Sequence, residues 1–206
     1  MATDSKETKS RRIRSILAAA LDEFVDNGFA AARLDAIAER AGVAKGTIYL
    51  YFDTKETLFE EAVRAVIGPI IARFESLAAA PEDTAEATLH QMIRTLYREV
   101  VTDPQKRSLL RLIISQGPRF QRLLRFYHDE LIVRSMGALK RVLAYGVERG
   151  EFARSPAVAH PQIVFGPALT AAIWTILFEE IDPIDLDVYC EAHLDFVLRG
   201  LRPLEI

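Results

Sequence analysis

Residues 34–51, LDAIAERAGVAKGTIYLY, decide the fold of this chain, because they read as two short helices joined by a tight glycine turn. Ile37 and Ala38 face inward, Gly42 makes the turn, and Ile48 and Tyr51 close the second helix onto the first. Ala38 has to be small where the helices of a helix-turn-helix cross steeply, and Gly42 has to enter the left-handed backbone region without strain. The exposed side, Ala44-Lys45-Gly46-Thr47 with Tyr49, gathers small, hydroxylated and cationic groups at the start of the second helix. Groups of that kind in that place meet base edges and phosphates. A helix of about eight residues there, rising 1.5 Å per residue, is roughly as long as the major groove is wide.

Working outward, Ile13, Ile16, Leu17, Ala20, Leu21, Phe24 and Val25 recur at helical spacing and predict an amphipathic first helix over residues 9–27. Asn27-Gly28-Phe29 ends it, with Phe29 folding back towards Phe24. Residues 33–41 and 44–51 form the second and third helices. Asp53-Thr54-Lys55-Glu56 then reads as a capping box, Asp53 capping and Glu56 reaching back, to open a fourth helix that carries Leu58, Phe59, Ala62, Val63 and Val66 on one face. A kink or break is expected at Gly68-Pro69. A loop over residues 79–83 precedes a fifth helix, 84–101, and Asp103-Pro104 starts a sixth. After Gly117-Pro118 come a long helix over 119–149 and two final ones over 157–180 and 185–200. No segment alternates as a strand does, so the expectation is an all-α protein of about nine helices: a head, residues 1–66, and a helical body, residues 67–206.

A length of 206 residues and 50% hydrophobic content support a substantial core. The net charge of −3 excludes a protein that coats nucleic acid indiscriminately, so any DNA contact belongs to a local patch. Lys6, Lys9, Arg11, Arg12 and Arg14 crowd the N-terminus, and Lys45 and Lys55 flank the expected recognition helix. The N-terminal cluster reads equally as a solvated tail or as an arm on DNA. A single cysteine, Cys190, excludes an internal disulfide framework and a thiolate metal cage, which fits the cytoplasm. His90, His128, His160 and His193 lack metal-ligand spacing, so no metal and no cofactor are expected. The apolar run 163–178 contains Pro167 and falls short of the ~20 residues that cross a bilayer, so it reads as a buried helix and no membrane partner is expected.

Catalytic residues are not indicated. There is no nucleophile elbow, no phosphate-cradling glycine loop and no His-Glu zinc helix, and Glu179, Glu180, Asp182, Asp185 and Asp187 fall where a solvated loop belongs. Aromatic and methionine positions of the body are chiefly core. A ligand pocket is nevertheless expected among Phe74, Met92, Leu96, Gln116, Phe120, Tyr127 and Trp174, apolar groups with a few directed polar ones. Gly166, Ala168, Ala171, Ala172 and Thr175 permit close approach of another helix, within the body or across a two-fold axis.

The string over residues 13–59, above all AGVAKGTIYLYFDTKETLF at 41–59, resembles the DNA-binding domain of TetR-family regulators, close to the AcrR-type members. The features that carry it are Gly28-Phe29, Ile37-Ala38, Ala41-Gly42-Val43, Lys45-Gly46-Thr47, Tyr49, Phe52 and Lys55-Glu56. Gln116-Gly117-Pro118-Arg119-Phe120 resembles the AefR-like branch of that family. The resemblance implies an Ω-shaped homodimer joined through the last two helices, each head reading half of a palindromic operator in double-stranded DNA and each body taking a small-molecule effector. Carried over by position, Thr47 and Lys45 meet bases or nearby phosphates, Tyr49 a phosphate, Tyr51 packing and backbone, and Lys55 a phosphate at the start of the fourth helix. In one departure, Ala32-Arg33 replaces the hydroxyl that commonly caps the second helix, which frees Arg33 to reach a phosphate or a narrow minor groove. The implied function is a repressor released from DNA by a small apolar effector, with the fourth helix as lever. Two competing readings stand: an activator of the same fold, and a helical module acting through protein partners.

Overall fold

The structure, a computed structural model, describes residues 2–81 and 84–203, leaving aside the side chains of 2–6 and 157. Glu82 and Asp83 of the expected loop, and the Lys6 side chain of the basic cluster, lie outside the described residues. Among those described there is no strand. The helices are α1 (Ala2–Ala31), α2 (Leu34–Ala41), α3 (Lys45–Tyr49), α4 (Lys55–Ala79), α5 (Ala85–Leu96, extended by π-helical Tyr97–Val101) and α6 (Pro104–Gln116). They continue with α7, an unbroken run of Gln121–Tyr127, π-helical His128–Val133 and Arg134–Glu148, then α8 (Gln162–Phe178) and α9 (Leu186–Leu201), with a single turn at Pro156–Ala159 before α8.

The chain forms two compact units, Met1–Gly68 with Leu109–Tyr127, and Pro69–Ser108 with His128–Ile206. The sequence-based division at residue 66 leaves 109–127 in the body. Those residues group with the head because Gln116 and Phe120 dock on Phe29 of α1.

In the first unit the apolar face of α1 supplies Ile16, Ala20, Leu21 and Phe24, all fully buried. They meet Ile37 of α2, Ile48 of α3, and Leu58 and Phe59 of α4 in one core. Phe24, Phe29 and Phe59 pack as a ring cluster with centroids 5.1–5.6 Å apart. The helix starts earlier than expected, at Ala2, and its end is a true interruption: Gly28 has φ 75° and ψ 163°, a region that glycine alone occupies readily.

The opening of α4 differs from the expected capping box. Thr54, not Asp53, caps it, its hydroxyl oxygen accepting the Thr57 N–H at 3.1 Å. The break expected at Pro69 is absent: α4 runs through it to Ala79. Proline removes one hydrogen bond there, but buried Ile67, Ile70, Ile71 and Phe74 anchor the helix on both sides of the gap. Further on, the expected 119–149 helix begins at Gln121, and residues 128–133 widen to π geometry.

In the second unit, Leu89, Met92 and Ile93 of α5, Leu139, Val142 and Leu143 of α7, Val164, Ala168, Ala171 and Ala172 of α8, and Leu194 of α9 make the core. Ala168, Ala171, Ala172 and Thr175 of α8 therefore serve packing within the body, whereas Gly166 is half-buried with open space beside it. Tyr97, at the start of the π segment, places its hydroxyl 3.1 Å from His193 Nδ1, and His193 Nε2 lies 2.8 Å from the Val164 carbonyl. A carbonyl only accepts, so Nε2 carries the proton, Nδ1 accepts, and the tyrosine donates. Burial lowers the His193 pKa and raises that of Tyr97, keeping both neutral.

Candidate nucleic-acid interface

The turn between α2 and α3 has the form that its glycine predicts. Gly42 sits at φ 67° and ψ 36°, its N–H bonds the Glu39 carbonyl at 3.1 Å, and the Val43 N–H bonds the Ala38 carbonyl at 3.0 Å. That pair of bonds is a Schellman end, and it launches α3 at a fixed angle. Ser15 of α1 adds a third bond by donating its hydroxyl to the Ala41 carbonyl at 3.1 Å.

α3 is shorter than expected, Lys45–Tyr49, with Leu50 to Phe52 completing the corner through bonds to the carbonyls of Gly46 and Ile48. Ile48 is buried, while Ala44, Lys45, Gly46 and Tyr49 are exposed and Thr47 is half-buried. The sequence-predicted contact residues at the start of α3 and along it are thus each accessible, Thr47 least. Tyr51 stands apart, half-buried beside Phe52, with the Lys9 ammonium 5.7 Å from its ring centroid. The basic N-terminus is accordingly helical rather than an unstructured tail, and Arg11, Arg12 and Arg14 project from it to solvent.

Two cations expected to meet phosphate have partners inside the head. Lys45 pairs with Asp35 of α2 at 3.0 Å, both groups about half exposed. Lys55 donates to the carbonyls of Ala30 at 3.0 Å and Ala32 at 3.1 Å, and its ammonium lies 5.0 Å over the Phe29 ring. It closes the C-terminal end of α1. Arg33 leaves α2 without a side-chain cap of its own, as its residue type foretells. From α1, Glu23, 3% exposed, accepts the N–H of Arg33 itself at 3.2 Å and so holds the residue that precedes the helix. The other Glu23 oxygen lies 3.4 Å from Arg40, which also holds Asp26 at 2.8 Å. The Arg33 side chain is exposed at the entrance to α2.

Sequence reasoning missed Glu23, Asp35, Ser15 and Leu50. The first three act across helix junctions, at separations of 10, 10 and 26 residues, where no local spacing rule applies. Leu50 is 79% exposed next to Tyr49. Its exposure was legible only as an apolar residue out of phase with Ile48.

The expected pocket residues do not form one group within either unit. Gln116 and Phe120 belong to the head: the Gln116 Oε1 accepts the Phe29 N–H at 2.9 Å, and the Phe120 ring packs edge-on to Phe29 at 5.2 Å. Tyr127 ends the same segment, and desolvation pushes its hydroxyl pKa up to about 12. In the body, Phe74 and Met92 are fully buried core groups, Phe74 lying 5.6 Å from Phe165, and Leu96 is half-buried. Trp174 donates its indole N–H to the Asp182 carbonyl at 2.7 Å and so ties down the turn after α8. An open groove of about 860 Å³ in the body is lined by other residues, among them Arg73, His90, Gln91, Arg94 and Arg98. Its arginines are paired with Glu99, Glu191 and Glu86.

Among the described residues no helix is long and apolar enough to cross a membrane, and no three metal-ligating side chains converge.

An all-α head with a helix-turn-helix whose second helix presents small, polar and cationic groups defines a DNA-binding transcriptional regulator. Residues 16–62 match the model of bacterial regulatory proteins, tetR family, so the head carries a TetR-type DNA-binding domain. The chain is 27% identical to the fatty acid metabolism regulator protein of Bacillus subtilis over 196 residues, 94% of this chain and 97% of that one. Among solved structures it is similar to the fatty acid degradation regulator FadR from Bacillus halodurans, with a TM-score of 0.75 and 24% identity over 92% of this chain and 99% of that one. It is similar also to FadR from Bacillus subtilis in complex with stearoyl-CoA, with a TM-score of 0.71 and 24% identity, covering 92% and 99%.

Proposed function

We propose that the chain is a ligand-responsive repressor that binds a pseudo-palindromic operator as a homodimer and leaves it when an effector occupies the body. The observation that carries the DNA reading is the accessible set Ala44, Lys45, Gly46, Thr47 and Tyr49, mounted on the Schellman turn at Gly42. In this reading Thr47 meets bases, and Lys45, Tyr49 and Arg33 meet phosphates. Lys45 exchanges Asp35 for a phosphate on binding, a swap that costs little because exposed pairs are worth at most about 1 kcal/mol. Lys55 serves as a clamp on α1, and Tyr51 as packing under Lys9.

The dimer reading rests on apolar groups left exposed on the last two helices and the turn after α8. Leu169, Leu177 and Ile181 follow one another at separations of 8 and 4 residues, and Val188 and Phe196 do so at 8, all at least half exposed. An unpartnered apolar face on both helices suits a self-complementary two-fold contact. Two heads then sit about 34 to 36 Å apart on successive major grooves.

For the effector, the resemblance to fatty acid regulators, one of them bound to stearoyl-CoA, favours a long-chain acyl-CoA acting on the helical body of a cytoplasmic protein. The test is fluorescence anisotropy of the protein on labelled DNA from upstream of its own gene, titrated with palmitoyl-CoA, palmitate and CoA. Palmitoyl-CoA is expected to weaken binding by about 5- to 150-fold, the usual range for coupled sites. A complex unmoved by palmitoyl-CoA at concentrations that saturate the protein contradicts this effector class. Tightening instead of release contradicts repression by this route and points to a co-repressor.

A further inference from the structure

We infer that Gln116 is a positioning residue for DNA binding, the link through which segment 109–127 holds the end of α1 and, through it, the helix-turn-helix. This rests on the DNA-binding reading above. The backbone bond from Phe29 is lost where Gly28 interrupts α1, and a side chain 87 residues away supplies the acceptor. Gly28 and Gln116 are a matched pair. A Cβ on Gly28 would stand 2.0 Å from the Gln116 Nε2, so the amide occupies the space that glycine leaves, and φ 75° independently demands glycine.

The residues after Phe29 are held group by group. The carbonyls of Ala30 and Ala32 bind Lys55, the N–H of Arg33 binds Glu23, and α2 begins at Leu34. Fixing Phe29 therefore fixes the start of α2 and, past the Gly42 turn, α3. Phe29 itself packs against Phe24, Phe59 and Phe120. Arg122 adds a second tie by bonding Glu60 of α4 at 2.9 Å.

Both ends of the segment are continuous with helix that belongs to the other unit. Leu109 follows Ser108 inside α6, and Tyr127 precedes His128 at the entry to the π-helical stretch of α7. One side-chain bond at a helix end is either made or broken, so it is a discrete element whose equilibrium two sites are able to bias. Coupling of binding sites is reciprocal, so operator DNA must act on segment 109–127 as that segment acts on the head.

The experiment is amide hydrogen exchange on the full-length protein, with and without operator DNA whose binding is followed in parallel by anisotropy. Operator DNA is expected to slow exchange across 109–120 by about fivefold or more in the wild type, although these residues lie outside the helix-turn-helix. Gln116→Ala, or Gln116→Met if the alanine variant folds poorly, should abolish that protection, and Gln116→Glu, which keeps an acceptor oxygen, should restore it. Operator binding with exchange over 109–120 unchanged in the wild type overturns the inference. So does a folded Gln116→Met that keeps the full DNA-induced protection, since Gln116 is then only a structural cap. A flat anisotropy titration overturns the DNA-binding reading and the coupling with it, and is told apart by that arm alone.

Discussion

The carboxylate of Glu23 accepts the backbone N–H of Arg33 at 3.2 Å, so the neighbouring helix holds the residue from which α2 starts. The same carboxylate faces Arg40 at 3.4 Å from the last turn of α2, which gives α1 a hold on both ends of that helix. Removing one acceptor leaves a partly buried donor unpaired and an arginine with one partner fewer. Glu23→Ala is expected to lower stability by about 1–3 kcal/mol, and Glu23→Gln, which keeps an acceptor for Arg33, by less than half of that. Urea denaturation of the three proteins measures the difference. A Glu23→Ala midpoint indistinguishable from wild type would remove Glu23 from the account of this helix.

Lys55 presents a sharper conflict between residue type and environment. By position it resembles a phosphate contact, yet two carbonyls and a ring hold its ammonium inside the head. Lys55→Ala is therefore expected to cost about 1 kcal/mol of stability and to weaken operator binding through misplacement of α2. The slope of log K against log salt should stay the same, because loss of a real phosphate contact flattens it by about 0.9. Anisotropy at several salt concentrations decides; a slope flatter by nearly one unit would show that Lys55 leaves its carbonyls for DNA.

Much of the fold was legible because helical periodicity and glycine chemistry are local. Gly42 reads as a left-handed turn from its neighbours alone, and it is one. What escaped was decided at a distance. Nothing near Pro69 says that buried neighbours will carry the helix across it, and nothing near Ala32-Arg33 says that Glu23 will arrive from α1. The exposed residues of α3 were readable from residue type and spacing. Gln116 and Phe120 were not, since polar and aromatic groups in a helical segment look the same whether they face a ligand or another helix.

The buried bond between Tyr97 and His193 gives the body a pH signature. Burial sets the His193 pKa below its ordinary value of 6.5, so the folded protein resists protonation where the unfolded chain accepts it. Stability is then fully present above about pH 6.5 and is lost as pH falls through the folded pKa, at up to about 1.4 kcal/mol per pH unit. Carboxylates titrate lower, so unfolding is followed between about pH 6.5 and 5, and the His193→Gln protein singles out this group. His193→Gln should lose that slope in urea melts. Equal slopes in the two proteins would contradict the neutral, hydrogen-bonded histidine.

The central claim, that the accessible residues of α3 read sequence, is tested most directly by competition anisotropy at about 150 mM salt, where surface attraction is screened beyond roughly 8 Å. Wild-type protein is bound to DNA from upstream of its own gene and challenged with that DNA or a scrambled duplex; Thr47→Ala is treated alike. The account predicts a preference of about a thousandfold or more for the wild type, reduced at least tenfold in Thr47→Ala with scrambled-duplex affinity unchanged. No preference in the wild type, or an undiminished one in Thr47→Ala, would contradict it.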